Sequence, residues 1–480
     1  MIDTPPRDVL RWPVIGPFLR WRHARTSLQL ALLLTAAALV VHGLFGPQIA
    51  PANLATVLAW VHYRGLLVVA LVAAGNFFCT GCPFVLVRDA GRRARMPMLR
   101  WPRSLRTKWI GIALVVVVLF AYELFDLWAL PRATAWLVLG YFAAALAIDL
   151  LFTGATFCKY LCPIGQFSFA TSTISPLELQ VRRPETCRTC RTVDCIRGRR
   201  DAAEPQRIVQ RGCELALFLP SKVGNLDCTF CLDCVQACPH DNIALATRMP
   251  GLELADVRRR SGIGRLSRRR DIAALVVVFV FGGLLNAFGM VAPARAVTEW
   301  LARTLGSTSE ALLLGVLFIA ALVVVPGALL GGAAGLTAGL TGGTLSSWSR
   351  TAASYAYALV PIGASVWVAH YGFHLLTGAL TIVPVTQSAV MDLAGWAVLG
   401  TPFWRWTGMR PGMVFPIEVG VVLLGAMGSL GLAYLISDRD HPDRAWLATI
   451  PWAIVTIALT AAAIWILSQP MEMRGVGMAA

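Results

Sequence analysis

Cysteines set close together are the residues of this chain best suited to chemistry. Between Cys228 and Pro239 the sequence reads C-T-F-C-L-D-C-V-Q-A-C-P. This spacing is typical of [4Fe–4S] cluster binding, because three thiolates on one tight loop bind three corners of an iron–sulfide cube. The fourth cysteine, Cys238, stands before the proline and is expected to bind a second cluster. Structural or disulfide-bonded cysteines are the alternative interpretation.

A second group of cysteines lies upstream and could complete the second cluster. Cys187, Cys190 and Cys195 are closely spaced, and Cys213 stands alone. Since two-cluster proteins exchange the fourth ligand between their cysteine runs, we expect two sets of ligands. One set is Cys187, Cys190, Cys195 and Cys238, and the other is Cys228, Cys231, Cys234 and Cys213.

The remaining cysteines form two matched pairs. Cys79 and Cys82 lie in F-F-C-T-G-C-P-F, and Cys158 and Cys162 lie in F-C-K-Y-L-C-P-I-G. The spacing of the second pair places both thiols on one face of a helix, and the proline after each pair breaks a helix. We predict that the thiols converge as metal ligands, as a redox-active dithiol or along an electron path. Buried cysteines that only pack are the alternative.

The composition is that of a membrane protein. Of 480 residues, 57% are hydrophobic and 14% are charged, whereas soluble domains carry about 25% charged residues. Apolar stretches of roughly 20 residues can cross a bilayer as helices. The sequence has about nine of them, at 28–46, 54–78, 109–130, 135–157, 271–293, 310–331, 352–380, 415–436 and 448–468. No cleavable signal peptide is predicted, because a polar segment precedes the first span.

Lysine and arginine predict the orientation of the first spans, since short cytoplasmic loops retain these residues. They are abundant before the first span and in the loop 88–108, and nearly absent from 47–53 and 131–134. We therefore expect the amino terminus and the cysteine-rich segment to lie on the cytoplasmic side of a bacterial inner membrane. These loops explain the net charge of +16, so no nucleic-acid partner is predicted.

These features predict an all-α polytopic membrane protein with an inserted cytoplasmic domain of the bacterial two-cluster ferredoxin type. We expect a cytoplasmic segment at 1–27 and a four-helix membrane domain with both Cys-Pro motifs at 28–157. The two-cluster domain follows at 158–270. A five-helix membrane domain with a histidine pair completes the chain at 271–480.

Histidines within the apolar spans are further candidates. His370 and His374 are one turn apart on one face of a helix, and His42 and His62 are expected at a similar depth. Ionisable residues inside a membrane are costly and mark functional sites, and imidazole binds haem iron and transition metals. We predict a haem b, copper or iron site, with interhelical hydrogen bonds as the alternative. Three methionines near the end are better explained by packing than by Cu(I) binding: Met471, Met473 and Met478.

The motifs resemble those of the membrane polyferredoxins of the NapH, NosR and CcoG (RdxA/FixG) type. The resemblance covers about 28–293 and rests on the two Cys-Pro motifs and the run ending in C-V-Q-A-C-P-H. It implies two [4Fe–4S] clusters and electron transfer at the inner membrane, from quinol towards periplasmic reductases or to copper during oxidase assembly. The family's cluster ligands correspond to Cys228, Cys231, Cys234, Cys238, Cys187 and Cys190. The spacing of Cys79 and Cys82 and the gap before Cys213 depart from the family pattern.

Two functions remain open from the sequence. In the first, the protein relays electrons through two clusters, between a cytoplasmic donor or quinol and a membrane or periplasmic acceptor. In the second, it is a reductase or assembly factor for copper or iron, in metal uptake or oxidase maturation. We favour the first, because the cysteine spacing indicates electron transfer directly, whereas the metal ligands are only inferred.

Overall fold

Helices make up most of the chain. The computed structural model describes residues 7–94, 97–204, 207–256, 260–261, 264–342 and 348–471. This part is mostly helical, with short two-stranded sheets in the cysteine-rich segment.

Eight helices of the described part are long and apolar enough to cross a membrane. They are Ala24–Phe45, Leu54–Ala74, Pro131–Leu151, Arg270–Phe288, Glu310–Thr341, Trp348–Thr377, Pro411–Asp440 and Pro442–Ser468. Each overlaps one predicted span. The prediction of a polytopic helical membrane protein, and hence of a lipid bilayer around it, is confirmed.

The one predicted span that is absent from these eight, at 109–130, forms a helix shorter than expected. Its helix, Trp109–Leu124, has 16 residues, which is about 24 Å of helix against a hydrocarbon core of about 30 Å. Beyond it Asp126 adopts a left-handed conformation with φ 44°. The apolar sequence therefore continues through a turn, because a left-handed residue ends a right-handed helix.

Shorter elements connect and flank the spans. The shorter helices are Ile15–Arg20, Phe77–Thr80, Pro83–Ala94, Trp109–Leu124, Pro163–Ser172, Pro184–Thr189, Asp194–Arg197, Asp233–Ala237, Leu252–Ala255, Ala292–Leu305 and Ile382–Ala394. The antiparallel strand pairs are Leu177–Val181 with Ile243–Thr247, Arg199–Arg200 with Ile208–Gln210, and Arg260–Ser261 with Gly264–Arg265.

The chain forms two compact units. The first comprises 1–35, 70–111 and 141–269, and the second comprises 36–69, 112–140 and 270–480. Each unit takes pieces of the first four predicted spans, and the four-part division expected from the sequence stays a prediction. All twelve cysteines belong to the first unit.

The core of the first unit lies beneath its longest strand pair. Leu179 and Leu245 are paired in register across the two strands and are both buried, together with Phe230. Alternate residues of a strand face the same side, so Leu177, Leu179 and Val181 all contact this core. The core thus includes the loop that carries Cys228 and Cys234.

Glu253 is a buried carboxyl in the same unit. One of its oxygens lies 3.4 Å from the guanidinium of Arg248, and its other oxygen has no hydrogen-bond partner among the described residues. Burial raises the pKa of Glu253 to about 7. Gly224 allows this placement, because a Cβ there would overlap the carboxylate, and the residue has φ +68°.

We expect Glu253 to make the protein less stable as the pH rises. A carboxyl whose pKa is higher in the folded state holds its proton more tightly when folded, so this stabilisation is complete below the ordinary glutamate pKa of 4.5 and is lost through about pH 7. Between pH 5 and pH 8 the parent should lose on the order of 2 kcal/mol more stability than Glu253→Gln. Thermal unfolding in detergent at both pH values measures the difference. Glu185→Gln, at an exposed site, should behave like the parent.

The orientation of the first spans can be tested at Met98. This residue lies in the basic loop 88–108 and is 89% exposed, so a cysteine placed there is accessible to reagents. We expect Met98→Cys to react with an impermeant maleimide only after cells are permeabilised, because the basic loop should be cytoplasmic. Labelling above the parent's background in intact spheroplasts would invert the topology.

Small residues allow the helices of the second unit to pack closely. A Cβ on Gly425 would lie 2.2 Å from the hydroxyl of Ser365, and one on Gly363 would lie 2.7 Å from Val280. Helices in membranes associate through such small residues. Gly363 and Ser365 lie on the helix Trp348–Thr377, which also carries the two histidines one turn apart.

Candidate functional site

The loop around Cys228 is a sequence of tight turns. Phe230 and Leu232 both have positive φ, at 51° and 62°, and the short helix Asp233–Ala237 follows directly. Alternation of left-handed and right-handed residues turns successive backbone N–H groups towards one side, which favours an anionic group there. An iron–sulfur cluster with four thiolates is such an anionic group.

The upstream cysteines repeat this local structure. Val193 has φ 53° and precedes the helix Asp194–Arg197, as Leu232 precedes Asp233–Ala237. Cys195 and Cys234 are each the second residue of their helix. The N–H of Cys238 donates to the carbonyl of Cys234 at 3.2 Å.

Cys213 occupies the equivalent position in the upstream loop. Its N–H donates to the carbonyl of Cys195 at 2.8 Å, as that of Cys238 does to Cys234. The hairpin of Arg199–Arg200 and Ile208–Gln210 fills the intervening sequence. The long gap that separates Cys195 from Cys213 is therefore a hairpin inserted into an otherwise repeated loop.

The first predicted ligand set lines one cavity. Its cysteines are Cys187, Cys190, Cys195 and Cys238. Asn242 bridges two of them, since its backbone N–H lies 3.4 Å from the sulfur of Cys238 and its side-chain amide 3.3 Å from that of Cys187. Burial, and then the neighbouring thiols, raise the pKa of Cys195 to about 11.

The second predicted set is more deeply buried. Burial raises the pKa of Cys228 to about 11. Burial, followed by repulsion from the thiolates of Cys231, Cys228 and Cys213, raises the pKa of Cys234 well above its ordinary range. Thiols in such places become thiolates when positive metal charge replaces their protons. The residues of both sets therefore fit an iron–sulfur cluster.

The described residues were also compared with the requirements of a single metal ion. Within the described ranges, no three histidine, cysteine, aspartate or glutamate side chains lie close enough to hold one ion. Four sulfurs around one ion, at about 2.3 Å each, lie about 4 Å from one another. A cube of four irons is larger and holds its thiolates farther apart, and the cluster assignment stays a prediction.

Both Cys-Pro motifs begin helices. Pro83 is the first residue of Pro83–Ala94 and Pro163 that of Pro163–Ser172. The sequence predicted only that these prolines break the preceding helix. Cys162 caps its helix and accepts a hydrogen bond from the N–H of Gly165 at 3.3 Å. Burial raises the pKa of Cys162 to about 12, although the backbone N–H groups at the helix amino terminus favour the thiolate.

The two thiol pairs lie within electrostatic range of one another. Burial, then Cys82 and Cys162, raise the pKa of Cys79 well above its ordinary range. Burial, then Asp149, Cys162 and Cys82, do the same for the pKa of Cys158. All four are free thiols. The structure thus brings both pairs together, and their role as metal ligands or redox thiols stays a prediction.

The segment of the first thiol pair contacts the loop of Cys228 directly. The side-chain amide of Asn76 donates to the backbone carbonyl of Cys228 at 3.1 Å. The hydroxyl of Thr80 donates to the backbone carbonyl of Phe230 at 2.6 Å. The rings of Phe77 and Phe230 meet edge to face at 5.5 Å. The sequence interpretation missed these residues, although polar Asn76 and Thr80 at the end of an apolar span were a signal.

Two basic residues of the first unit form ion pairs with the loop of Cys228. Arg25 lies 2.7 Å from Asp233, and Lys108 lies 2.5 Å from Asp227. Burial lowers the pKa of Lys108, and Asp227 counteracts this. Buried ion pairs contribute little net stability but are costly to break. The sequence interpretation treated Arg25 and Lys108 only as topology signals and did not discuss Asp227 and Asp233. The two ion pairs therefore also fix the position of the loop.

The histidines differ in their surroundings. His42 accepts from the N–H of Leu54 at 3.0 Å, and its other ring nitrogen lies 3.2 Å from Asp392. The ring nitrogens of His62 lie 3.2 and 3.3 Å from two backbone carbonyls. His370 and His374 are neighbours, with ring centroids 5.1 Å apart. Met473 and Met478 lie outside the described residues.

Two known proteins are similar to part of the chain. The regulatory protein NosR of Pseudomonas aeruginosa is 25% identical over 181 residues, and that of Stutzerimonas stutzeri is 23% identical over 182 residues. The aligned regions cover 33% and 34% of this chain and 23% of each relative. The chain thus spans about a quarter of the length of the curated relatives that it matches. No family model and no solved structure matches it.

Proposed function

We propose that the chain is a membrane-bound electron-transfer protein that holds two [4Fe–4S] clusters in the cysteine-rich part of its first unit. The repeated loop carries this proposal, because Cys213 and Cys238 make the same hydrogen bond to Cys195 and Cys234. Each fourth cysteine then serves the cluster of the other run, as in two-cluster ferredoxins. The similarity to NosR supports a protein of the membrane iron–sulfur type.

The clusters would accept and release single electrons. The chain's own residues position and insulate them: Asn242 orients Cys187 and Cys238, and Phe230 closes the loop from water. The contacts of Asn76 and Thr80 hold the Cys79 and Cys82 segment against the second ligand set. We infer that electrons pass between that set and the membrane along this segment.

The donor and acceptor follow from the predicted orientation. The cysteine-rich domain would face the cytoplasm of a bacterial inner membrane, with a cytoplasmic protein or quinol as donor. The acceptor would be a redox partner in the membrane or the periplasm. Reconstitution in liposomes with ferricyanide trapped inside tests this relay. An impermeant reductant added outside should reduce the ferricyanide only when protein is present, and no reduction with fully loaded clusters would refute the relay.

Metal reduction is the second candidate, and the two Cys-Pro motifs favour it. Cys82 and Cys162 each stand before a helix that begins with proline, and soft thiolates select Cu(I). In this version the electrons would reduce Cu(II) or Fe(III) held at the thiol pairs. Titration with Cu(I) under a competing chelator separates the candidates, because the relay needs no copper bound at these four cysteines.

A further inference from the structure

The first predicted ligand set is more accessible than the second. All four of its cysteines are partly exposed, namely Cys187, Cys190, Cys195 and Cys238. In the second set Cys228 and Cys234 are buried. The loop of the second set is also joined to the segment of the first thiol pair through the hydrogen bonds of Asn76 and Thr80. The first set is therefore the one that an external protein can approach.

Arginines are abundant around this set in the sequence. From Arg182 to Arg211 there are nine arginines and four acidic residues. Two of the arginines form ion pairs within the unit, since Arg182 lies 2.8 Å from Asp8 and Arg211 lies 2.7 Å from Asp89. Six others are exposed and form no ion pair with another described residue: Arg183, Arg188, Arg191, Arg197, Arg199 and Arg207. Their charge is therefore available to a partner.

These six arginines, called the arginine surface below, belong to the segments that hold the first set. Arg188 and Arg191 each directly follow a cysteine of the set. Arg197 ends the short helix of the upstream loop. The inserted hairpin, which starts two residues later, adds Arg199 and Arg207. Positive charge is thus concentrated on the segments of the accessible ligands.

Membrane orientation does not account for this charge. The bias for lysine and arginine acts within about 15–20 residues of the ends of a span. Arg183 lies 32 positions beyond Leu151, where one candidate membrane helix ends, and Arg207 lies 63 positions before Arg270, where the next one begins. A partner with negative charge is the explanation that remains for the arginine surface.

Exposed apolar residues line the cavity of the first set. Phe218 is one of them and is 37% exposed. Pro220 and Pro239 also line this cavity and are exposed. Protein-binding surfaces combine an apolar centre with a polar rim. Apolar residues at the cavity, with arginines on the segments around it, have this composition.

We propose that the arginine surface and these apolar residues bind a small acidic electron-carrier protein, which is the donor to the first ligand set. Charge complementarity favours this partner, because opposite charges steer two proteins together and orient them. The carrier loses one electron and the cluster of the first set gains it, with no bond broken and no proton transferred. A small contact suffices, since redox encounters bury less than about 1,200 Å². This inference rests on the proposed function, because it identifies the cytoplasmic donor.

Binding of an oxidised plant-type ferredoxin, an acidic protein, tests the inference without electron transfer. The full-length protein with its clusters is placed in nanodiscs of zwitterionic phospholipid, and association is followed by surface plasmon resonance at low salt. A triple variant combines Arg188→Gln, Arg191→Gln and Arg197→Gln. It should associate about tenfold more slowly than the parent, since electrostatic steering accelerates association by about 10–1,000-fold. At about 1 M salt, where the Debye length is about 3 Å, the difference should disappear.

A matched variant removes the same charge from the second unit. Its substitutions are at exposed arginines: Arg132→Gln, Arg295→Gln and Arg303→Gln. This variant should associate like the parent. If the first triple variant loses iron, Arg199→Gln combined with Arg207→Gln takes its place, because the inserted hairpin carries no predicted ligand. That variant should also associate more slowly than the parent.

Equal association rates for the parent and the variants of the arginine surface, or no binding by the parent, would overturn the inference. So would an equal loss in the matched variant, because the effect would then follow net charge alone. Phosphatidylglycerol that copurifies with the parent and is lost from the triple variant, with ferredoxin binding unchanged, would assign the arginines to lipid instead. Iron analysis separates these results from a failure of the proposed function, since a protein without clusters would lack iron whether or not it binds ferredoxin.

Discussion

Replacing Cys234 with serine is expected to lower the iron of anaerobically purified protein from about eight to about four atoms per chain. Cys234 is buried and lies within range of the other thiols of its set, so its loss should leave one cluster without a full set of thiolates. Iron and acid-labile sulfide, measured together, should fall in parallel. Cys82→Ser, which lies outside both ligand sets, should keep its iron.

The variant Cys238→Ser tests whether the fourth cysteine of this run serves the other cluster. Although Cys238 belongs to the same run, it lines the cavity of Cys187, Cys190 and Cys195. The variants Cys234→Ser and Cys238→Ser should therefore each lose about four iron atoms, but from different clusters. The paramagnetic resonance spectra of the two remaining clusters should differ. Identical spectra, or a folded Cys234→Ser with all its iron, would contradict the assignment of ligands.

Replacing all four paired cysteines with serine should abolish electron transfer to the outer acceptor and leave the cluster iron in place. Serine keeps the size of Cys79, Cys82, Cys158 and Cys162 but lacks the soft sulfur that metal binding and disulfide exchange require. The segment of Cys79 hydrogen bonds to the loop of Cys228, so the thiols lie beside the second ligand set. The liposome assay measures the transfer, and iron analysis serves as the internal control.

Two outcomes would change this view of the thiol pairs. Full transfer in the quadruple variant would make them packing residues, which was the alternative interpretation of the sequence. Loss of about half the iron would make them cluster ligands. The effect should also be specific, since Thr80→Val removes the hydroxyl that donates to Phe230 but no thiol. That variant should slow transfer less than the loss of the four sulfurs.

The spans and the grouping of the cysteines could be predicted because their signals are local. A run of apolar residues as long as Glu310–Thr341 predicts a membrane helix by composition alone. The spacing of Cys228, Cys231 and Cys234 predicts a common loop in the same way. Even the distant Cys213 could be assigned to a set, since each run lacked one ligand. The end of the helix Trp109–Leu124 was not predictable, because the left-handed turn at Asp126 lies in apolar sequence.

The contacts that join distant segments could not be predicted. Asn76 is separated from Cys228 by 152 positions in the chain, and no periodicity connects them. Lys108 and Asp227 are an ion pair across 119 positions, yet Lys108 matched the composition of a cytoplasmic loop and needed no partner. The guanidinium carbon of Arg64 lies within 5.0 Å of the ring centroids of Trp60, Tyr122 and Tyr371, but one basic residue barely lowers the hydropathy of Leu54–Ala74. Only the fold shows the rings around it.

The iron and acid-labile sulfide content of the anaerobically purified protein tests the central claim most directly. Two clusters require about eight atoms of each per chain. The reduced protein should show paramagnetic resonance signals broadened by spin coupling, because the exchanged cysteines Cys213 and Cys238 place the two clusters close together. About four iron atoms in fully loaded protein would remove the upstream set as a cluster site. Iron without acid-labile sulfide would contradict both clusters.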